Sequence, residues 1–319
     1  MSNTLPINDD ASPVSPWHEG EIAIQSHAGV RDKMDFVGKM MVRNFMPDQH
    51  REFYESLPFI VAGLIDPDDA PWATFFFGTP GFIAAPSPTT LTFNAQLDDG
   101  DPAAAGFKDG FPIGLLGIEL ETRRRNRANG QIKIDDERGF NVDIQQTMGN
   151  CPKYISVREH NVRQDTQPQH IQYMTELDQD AIETIQSSDT FFVASYLEEE
   201  TDKRADASHR GGKPGFVRVN TDGSLTIPDF AGNLFFNTLG NILMNGKAGL
   251  TFPDFETGEV LQMTGTAEVI LESGEIKDFA GAQRLWTFNP EKIVRRQNAL
   301  PLAWRYIEES PFNAKTGQW

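Results

Sequence analysis

The sequence predicts a mainly β protein with peripheral helices, built as two copies of one strand-rich domain. Two observations carry this. First, short apolar or β-branched runs alternate with Gly, Pro and Asp turns, at residues 59–65, 72–77, 89–93 and 114–120. Many short strands punctuated this way point to a β-barrel or sandwich. Second, the pattern returns at a nearly constant spacing. Phe191-Phe192-Val193-Ala194 repeats Phe59-Ile60-Val61-Ala62 (191 − 59 = 132). Gly212-Lys213-Pro214-Gly215-Phe216-Val217 repeats Gly78-Thr79-Pro80-Gly81-Phe82-Ile83 (212 − 78 = 134). Gly249-Leu250 repeats Gly114-Leu115 (249 − 114 = 135), and Gly265 falls over Gly130 at the same spacing. A spacing held across several anchors marks an internal duplication. The two copies are expected to pack as a pseudo-dimer that covers each other's exposed faces.

The elements follow in order. Residues 1–50 read as a tail and a helical segment, with 1–15 too polar to order. His18 and Glu19 suit a helix start better than a catalytic role. Residues 47–55 read as a helix capped by Asp48. The first copy spans 51–150. A connecting segment and a helix, at 175–185, occupy 151–185. The second copy spans 186–295, and 296–319 form a C-terminal tail.

Composition excludes several classes. The chain has 319 residues, 39% apolar and 23% charged, with a net charge of −18. Such a surface repels nucleic acid and anionic membrane. No apolar run approaches the ~20 residues of a membrane span. Residues 1–16 carry neither a basic nor an apolar signal-peptide region. The single cysteine, Cys151, permits no internal disulfide and fits a reducing, cytoplasmic compartment.

The chemistry concentrates in the second copy. Ser208-His209-Arg210-Gly211-Gly212-Lys213-Pro214-Gly215-Phe216 combines a hydroxyl, an imidazole, two cations and three glycines. Glycines admit a ligand close to the backbone, and Arg and Lys neutralise phosphate. Asn233, Asn237, Thr238, Gly240, Asn241 and Asn245 then read as a neutral hydrogen-bonding loop suited to a phosphate-bearing cofactor. A glycine-rich hairpin with a solvated basic tip is the alternative. In the first copy these positions hold Phe75, Phe76 and Phe77 and an acidic stretch. That copy instead carries Arg123, Arg124, Arg125 and Arg127. If they lie on a strand, Arg123, Arg125 and Arg127 share a face. They read either as arginines lent across the interface or as a solvated edge. Cys151 reads as a buried structural thiol or a reactive one.

These residues, with Pro16-Trp17-His18-Glu19-Gly20-Glu21, Asn129-Gly130, Gly149-Asn150-Cys151-Pro152-Lys153-Tyr154 and the tail around Pro301 and Trp304, carry a resemblance. The chain resembles the predicted flavin-nucleotide-binding proteins related to pyridoxamine 5′-phosphate oxidase, from about residue 15 to 313. The resemblance implies two tandem split β-barrels with FMN at their interface. It implies a cradle of Ser208, Arg210, Gly211, Gly212, Lys213 and Phe216, a phosphate loop of Asn237, Thr238 and Asn241, and Arg125 from across the interface. The oxidase has an Arg-Lys pair where this chain has Gly240-Asn241, and its substrate-holding arginine and histidine have no counterpart here. The expectation is an FMN-dependent oxidoreductase on a small-molecule substrate, supplied by a separate electron donor, with His209 as the acid/base candidate and homodimerisation possible. A flavin carrier or sensor, and a haem-binding barrel ligated through His209 or His18, are the alternatives.

Overall fold

The computed structural model describes residues 15–98, 100–136, 139–164, 169–200 and 202–319. The expectation of an unordered tail at 1–15 lies almost wholly outside them. Three helices come first: α1 (Glu19–His27), α2 (Arg31–Met41) and α3 (Asp48–Ser56). His18 caps α1, accepting the Gly20 N–H on Nδ1 while Glu21 accepts the His18 N–H. Asp48 does not cap α3. It is the first helical residue, after Pro47, and pairs with Arg51 instead.

The first sheet comprises β1 (Phe59–Ile65), β2 (Pro71–Phe77), β3 (Ile83–Ser87), β4 (Thr90–Phe93), β5 (Pro112–Glu119), β6 (Arg124–Asp136) and β7 (Gly139–Asn150), in the order β2-β1-β5-β6-β7-β4-β3. The stretch expected to be a bare connection holds two strands, β8 (Val157–Val162) and β9 (His170–Met174), before α4 (Gln179–Ser187). The second sheet comprises β10 (Thr190–Glu199), β11 (Asp202–Gly211), β12 (Arg218–Val219), β13 (Leu225–Phe230), β14 (Lys247–Pro253), β15 (Val260–Ile270) and β16 (Ala282–Gln297), in the order β11-β10-β14-β15-β16-β13-β12. The two orders are the same order, so the duplication is topological as well as sequential. Strand β9 adds to β16, and β17 (Leu302–Glu308) pairs with β8. Each sheet is open along its hydrogen-bonded path. No described helix is long and apolar enough to cross a membrane.

The unbroken apolar strands have a physical reason. Along β1, Ile60, Ala62 and Leu64 face the core of the first sheet, while Phe59 and Val61 face the second sheet. Along β10, Phe191 and Val193 face the second core, and Phe192 and Ala194 face the interface. Strands buried on both faces lose the polar alternation of a solvated sheet. The interface is itself a core, with Phe75, Leu116, Ile118, Phe192, Ala207 and Val260 among its members.

The sheets touch backbone to backbone through a pseudo-two-fold pair of glycines. A Cβ on Gly114 would lie 2.4 Å from Asp206 Cα, and one on Gly249 would lie 2.1 Å from the Pro71 oxygen and 3.0 Å from Trp72 Cα. Strand registers make these contacts equivalent. Gly63 pairs with Ala73 and Gly114, as Ala194 pairs with Ala207 and Gly249.

Between β13 and β14 the chain forms α5 (Asn237–Asn245), where a loop was expected. Asn and Gly are poor helix formers, but Leu239 and Ile242 insert into the second core and override that propensity. Helix α1 crosses α5 at Gly20 and Gly240. A Cβ on Gly20 would sit 2.3 Å from the Gly240 oxygen. Gly240 is therefore a packing glycine.

Candidate functional site

The β6 arginines divide by strand geometry. Arg123 lies before the strand with φ 61° and reaches Glu308 and the Ile155 oxygen. It does not share the face of Arg125 and Arg127, because the turn ends between them. Arg124 points to the other side, over the Phe53 ring and onto the Gln49 oxygen. Arg125 and Arg127 cross to β11 of the second sheet.

Arg127 is tied down completely. Its Nε donates to the Ala207 oxygen at 3.1 Å and faces Asp206 Oδ1 at 2.8 Å; its other nitrogens donate to Ser208 Oγ and Asn237 Oδ1, each at 2.5 Å. Thr238 donates to Ser208 Oγ at 2.8 Å, and Ser208 donates to Asp206 at 3.2 Å. Ser208, Asn237 and Thr238 thus line the cleft with hydroxyl and amide groups already engaged in one network joining the sheets.

Arg125 is different. It donates to the Cys151 oxygen at 2.7 Å and to the His209 oxygen at 3.4 Å, and lies 3.3 Å from His209 Nδ1. Among the described residues it has no carboxylate partner. Lys153, from the segment after β7, donates to the Ala231 oxygen at 3.1 Å and also lacks one. Arg210 is paired: Asp229 accepts from it at 2.5 Å and also from Arg284 at 3.0 Å. In a chain of net charge −18, one cleft therefore holds two cations without counter-charge. Tyr154, Phe216, Phe230, Phe236 and Leu116 supply its apolar wall.

Burial, with Arg125 beside it, holds the His209 imidazole well below its ordinary pKa. With Nδ1 facing a guanidinium donor, the proton sits on Nε2. That atom is buried and, like Arg210 Nε and Asn150 Nδ2, has no hydrogen-bond partner among the described residues. A neutral, pinned imidazole is a hydrogen-bond donor toward the cleft and a poor general acid.

The cleft thus gathers Arg125, Ser208, His209, Arg210, Gly211, Phe216, Asn237 and Thr238. Three expected residues lie elsewhere. Gly212 and Lys213 belong to a turn that both copies share: Gly215 (φ 85°) and Gly81 (φ 95°) turn the chain, and Phe216 and Phe82 fold over Gly212 and Gly78. Both copies therefore use the motif to turn the chain. Asn241 lies one turn into α5, donating to Ser195 Oγ at 3.0 Å, and faces a different cavity. Gly211 is needed for packing, since a Cβ there would meet the Tyr154 oxygen at 2.1 Å.

Lys153, Tyr154, Asn150 and Asp229 were not singled out as site residues. The compact run Asn150-Cys151-Pro152-Lys153-Tyr154 was the available signal. It turns sharply, with Tyr154 at φ 63°, and delivers the second free cation.

No protein-family model and no curated protein matches the chain. Several solved structures are similar over part of it. The HupZ protein of Group A Streptococcus is 17% identical, over 37% of this chain and 98% of its own, with a TM-score of 0.29. A candidate pyridoxamine 5′-phosphate oxidase of Lactobacillus delbrueckii is 15% identical, over 33% and 95%, with a TM-score of 0.27. The FAD-binding protein of Mycobacterium smegmatis is 10% identical, over 40% and 98%, with a TM-score of 0.26.

Proposed function

We propose that the chain is a split-barrel flavoprotein of the pyridoxamine 5′-phosphate oxidase-related group that holds FMN in the cleft between its two sheets. The observation carrying this reading is the pair Arg125 and Lys153, two cations without counter-charge beside an aromatic wall. An anionic group on a flat apolar ring system fits both features. The buried, partnerless His209 Nε2–H and Arg210 Nε add donors that a polar ring edge would satisfy. Arg125 and Lys153 take the phosphate charge, His209 donates from Nε2, and Tyr154, Phe230 and Phe236 exclude water. Bound flavin would supply hydride or electron transfer, making the protein an oxidoreductase on a small molecule with a separate electron donor.

One observation favours a second reading, a flavin carrier or sensor. Of the cleft's polar side chains, Ser208, Asn237 and Thr238 are engaged internally, and His209 is held neutral. No side chain of the expected set is left to move a substrate proton.

The test compares FMN with riboflavin by quenching of flavin fluorescence. FMN binds more tightly, and Arg125→Ala lowers its affinity about tenfold or more, toward that of riboflavin. Equal affinities for the two flavins, unaffected by Arg125→Ala, would remove the phosphate assignment. Turnover with reduced nicotinamide donors separates the oxidoreductase from the carrier.

A further inference from the structure

A second cavity lies on the far side of Asn237, which lines both. Its walls include His18, Glu21, Arg43, Asn129 and Arg204. Helix capping explains only half of what His18 and Glu21 do. Capping uses His18 Nδ1 and one Glu21 oxygen, and Asn237 donates to the other oxygen. It leaves His18 Nε2 buried and without a close hydrogen bond among the described residues, 3.6 Å from Glu21 Oε2 and near the Asn241 side chain, with the imidazole only 8% exposed. Nδ1 is occupied as an acceptor, so Nε2 carries the proton and faces the cavity as a donor. On another wall, Asn129 donates its amide to Asp206 at 3.2 Å, leaving Oδ1 a buried acceptor without a partner. Buried polar atoms without partners are rare unless a water or ligand satisfies them.

Charge selects the class of ligand. Arg127 neutralises Asp206, and Glu199 pairs with Arg204 at 2.5 Å. Arg43 is half-buried and has no ion pair among the described residues. Burial raises the Glu21 carboxyl to about 8, so it adds little negative charge near neutrality. Among the described residues the cavity therefore presents the Arg43 guanidinium and, as buried atoms without a hydrogen bond, one donor and one acceptor, with the Asn44, Gln145, Gln146 and Asn241 amides also on its walls. A hydroxyl both accepts and donates, and so satisfies His18 and Asn129 together; a simple inorganic anion leaves Asn129 Oδ1 unmet.

We propose that this cavity binds a small organic anion of the 2-hydroxycarboxylate class, its carboxylate on Arg43 and its hydroxyl between His18 Nε2 and Asn129 Oδ1. The proposal goes beyond the flavin reading and does not depend on it.

The test follows the imidazole nitrogens by long-range ¹H–¹⁵N NMR, with the His18 signal assigned through its loss in His18→Gln. The probes are L-lactate, L-malate and citrate, with 1,2-propanediol as the carboxylate-free control. At least one acid perturbs His18 Nε2 saturably while propanediol does not. Arg43→Gln weakens that binding about tenfold or more, Asn129→Ala weakens it without altering charge, and Arg125→Ala, in the flavin cleft, leaves it unchanged. Failure of all three acids to saturate, or unaltered affinity in Arg43→Gln, overturns the proposal.

Discussion

Arg127 and Gln262 occupy equivalent positions in the two sheets, and each donates across the interface to the equivalent carbonyl of the other sheet. Arg127 Nε reaches the Ala207 oxygen at 3.1 Å, and Gln262 Nε2 reaches the Ala73 oxygen at 3.0 Å. The registers establish the equivalence, since Leu116 pairs with Arg127 as Thr251 pairs with Gln262. By the same registers Arg125 corresponds to Val260, His209 to Phe75, Arg210 to Phe76 and Asn150 to Arg296. The fold thus makes two equivalent clefts: one carries Arg125 and Lys153, and the other carries Arg163, which donates to the Leu302 and Glu256 oxygens. The other is lined by Phe75 and Phe77 and by Arg296, which pairs with Asp101 at 2.7 Å and donates to Gln262 at 2.8 Å.

The Arg296–Asp101 pair makes a stability prediction. Arg296 and Asp101 are both buried, and removing one partner strands the other's charge. Asp101→Ala is expected to cost about 3–5 kcal/mol in chemical denaturation. The double variant Asp101→Ala with Arg296→Met should recover much of that loss. A loss in the double variant equal to the sum of the single losses would contradict this view of the pair.

The crossing of α1 over α5 depends on two glycines. A methyl at Gly20 or at Gly240 has no room, because each would press on backbone of the other helix. Gly20→Ala and Gly240→Ala should each destabilise by about 1–3 kcal/mol. Thermal unfolding reads this directly. Unchanged melting in both would mean that the helices do not cross as described.

Glu21 predicts a pH dependence of stability with a definite sign. Its folded pKa, about 8, lies above its ordinary value of 4.5. The stabilisation from keeping the buried carboxyl neutral is fully present below 4.5 and is lost as pH rises through 8. His18 is lowered to about 4 by burial, so its neutral form is favoured and it destabilises only as pH falls below 6.5. Between pH 6.5 and 8 the Glu21 effect therefore stands apart from that of His18. Stability should fall there by up to roughly 1.4 kcal/mol per pH unit, and Glu21→Gln should flatten the slope. Denaturant midpoints across that window measure it.

The duplication was legible because its punctuation is local. A Gly-x-Pro-Gly-Phe turn needs positive φ at one glycine and contact between the other and the ring, and both copies keep these residues. The interface arginines were legible as unusual charge in an acidic chain. Helix α5 was not, because its Asn and Gly residues favour loops in isolation and only the core beneath Leu239 and Ile242 makes it helical. Strand β3 was missed because Ala84, Pro86 and Ser87 weaken its pattern, and β8 and β9 because their polar runs pair at edges. At the site, Gly212 and Lys213 neighbour His209 in the chain, and the structure places them in the turn rather than among the residues lining the cleft. Sequence proximity could not reveal that Asp229 pairs with Arg210, since that contact depends on pairing the strands.

The most direct measurement of the central claim is the flavin stoichiometry of the protein. The chain is saturated with FMN, dialysed, and its visible absorbance compared with its protein content. One flavin per chain, lost in Arg125→Ala and retained in Val260→Ala, is the expected result, because Arg125, Lys153 and the His209 Nε2 donor are brought together in one cleft. No retained flavin, or a yield unaffected by Arg125→Ala, would contradict the assignment of the cleft between the sheets as the flavin site.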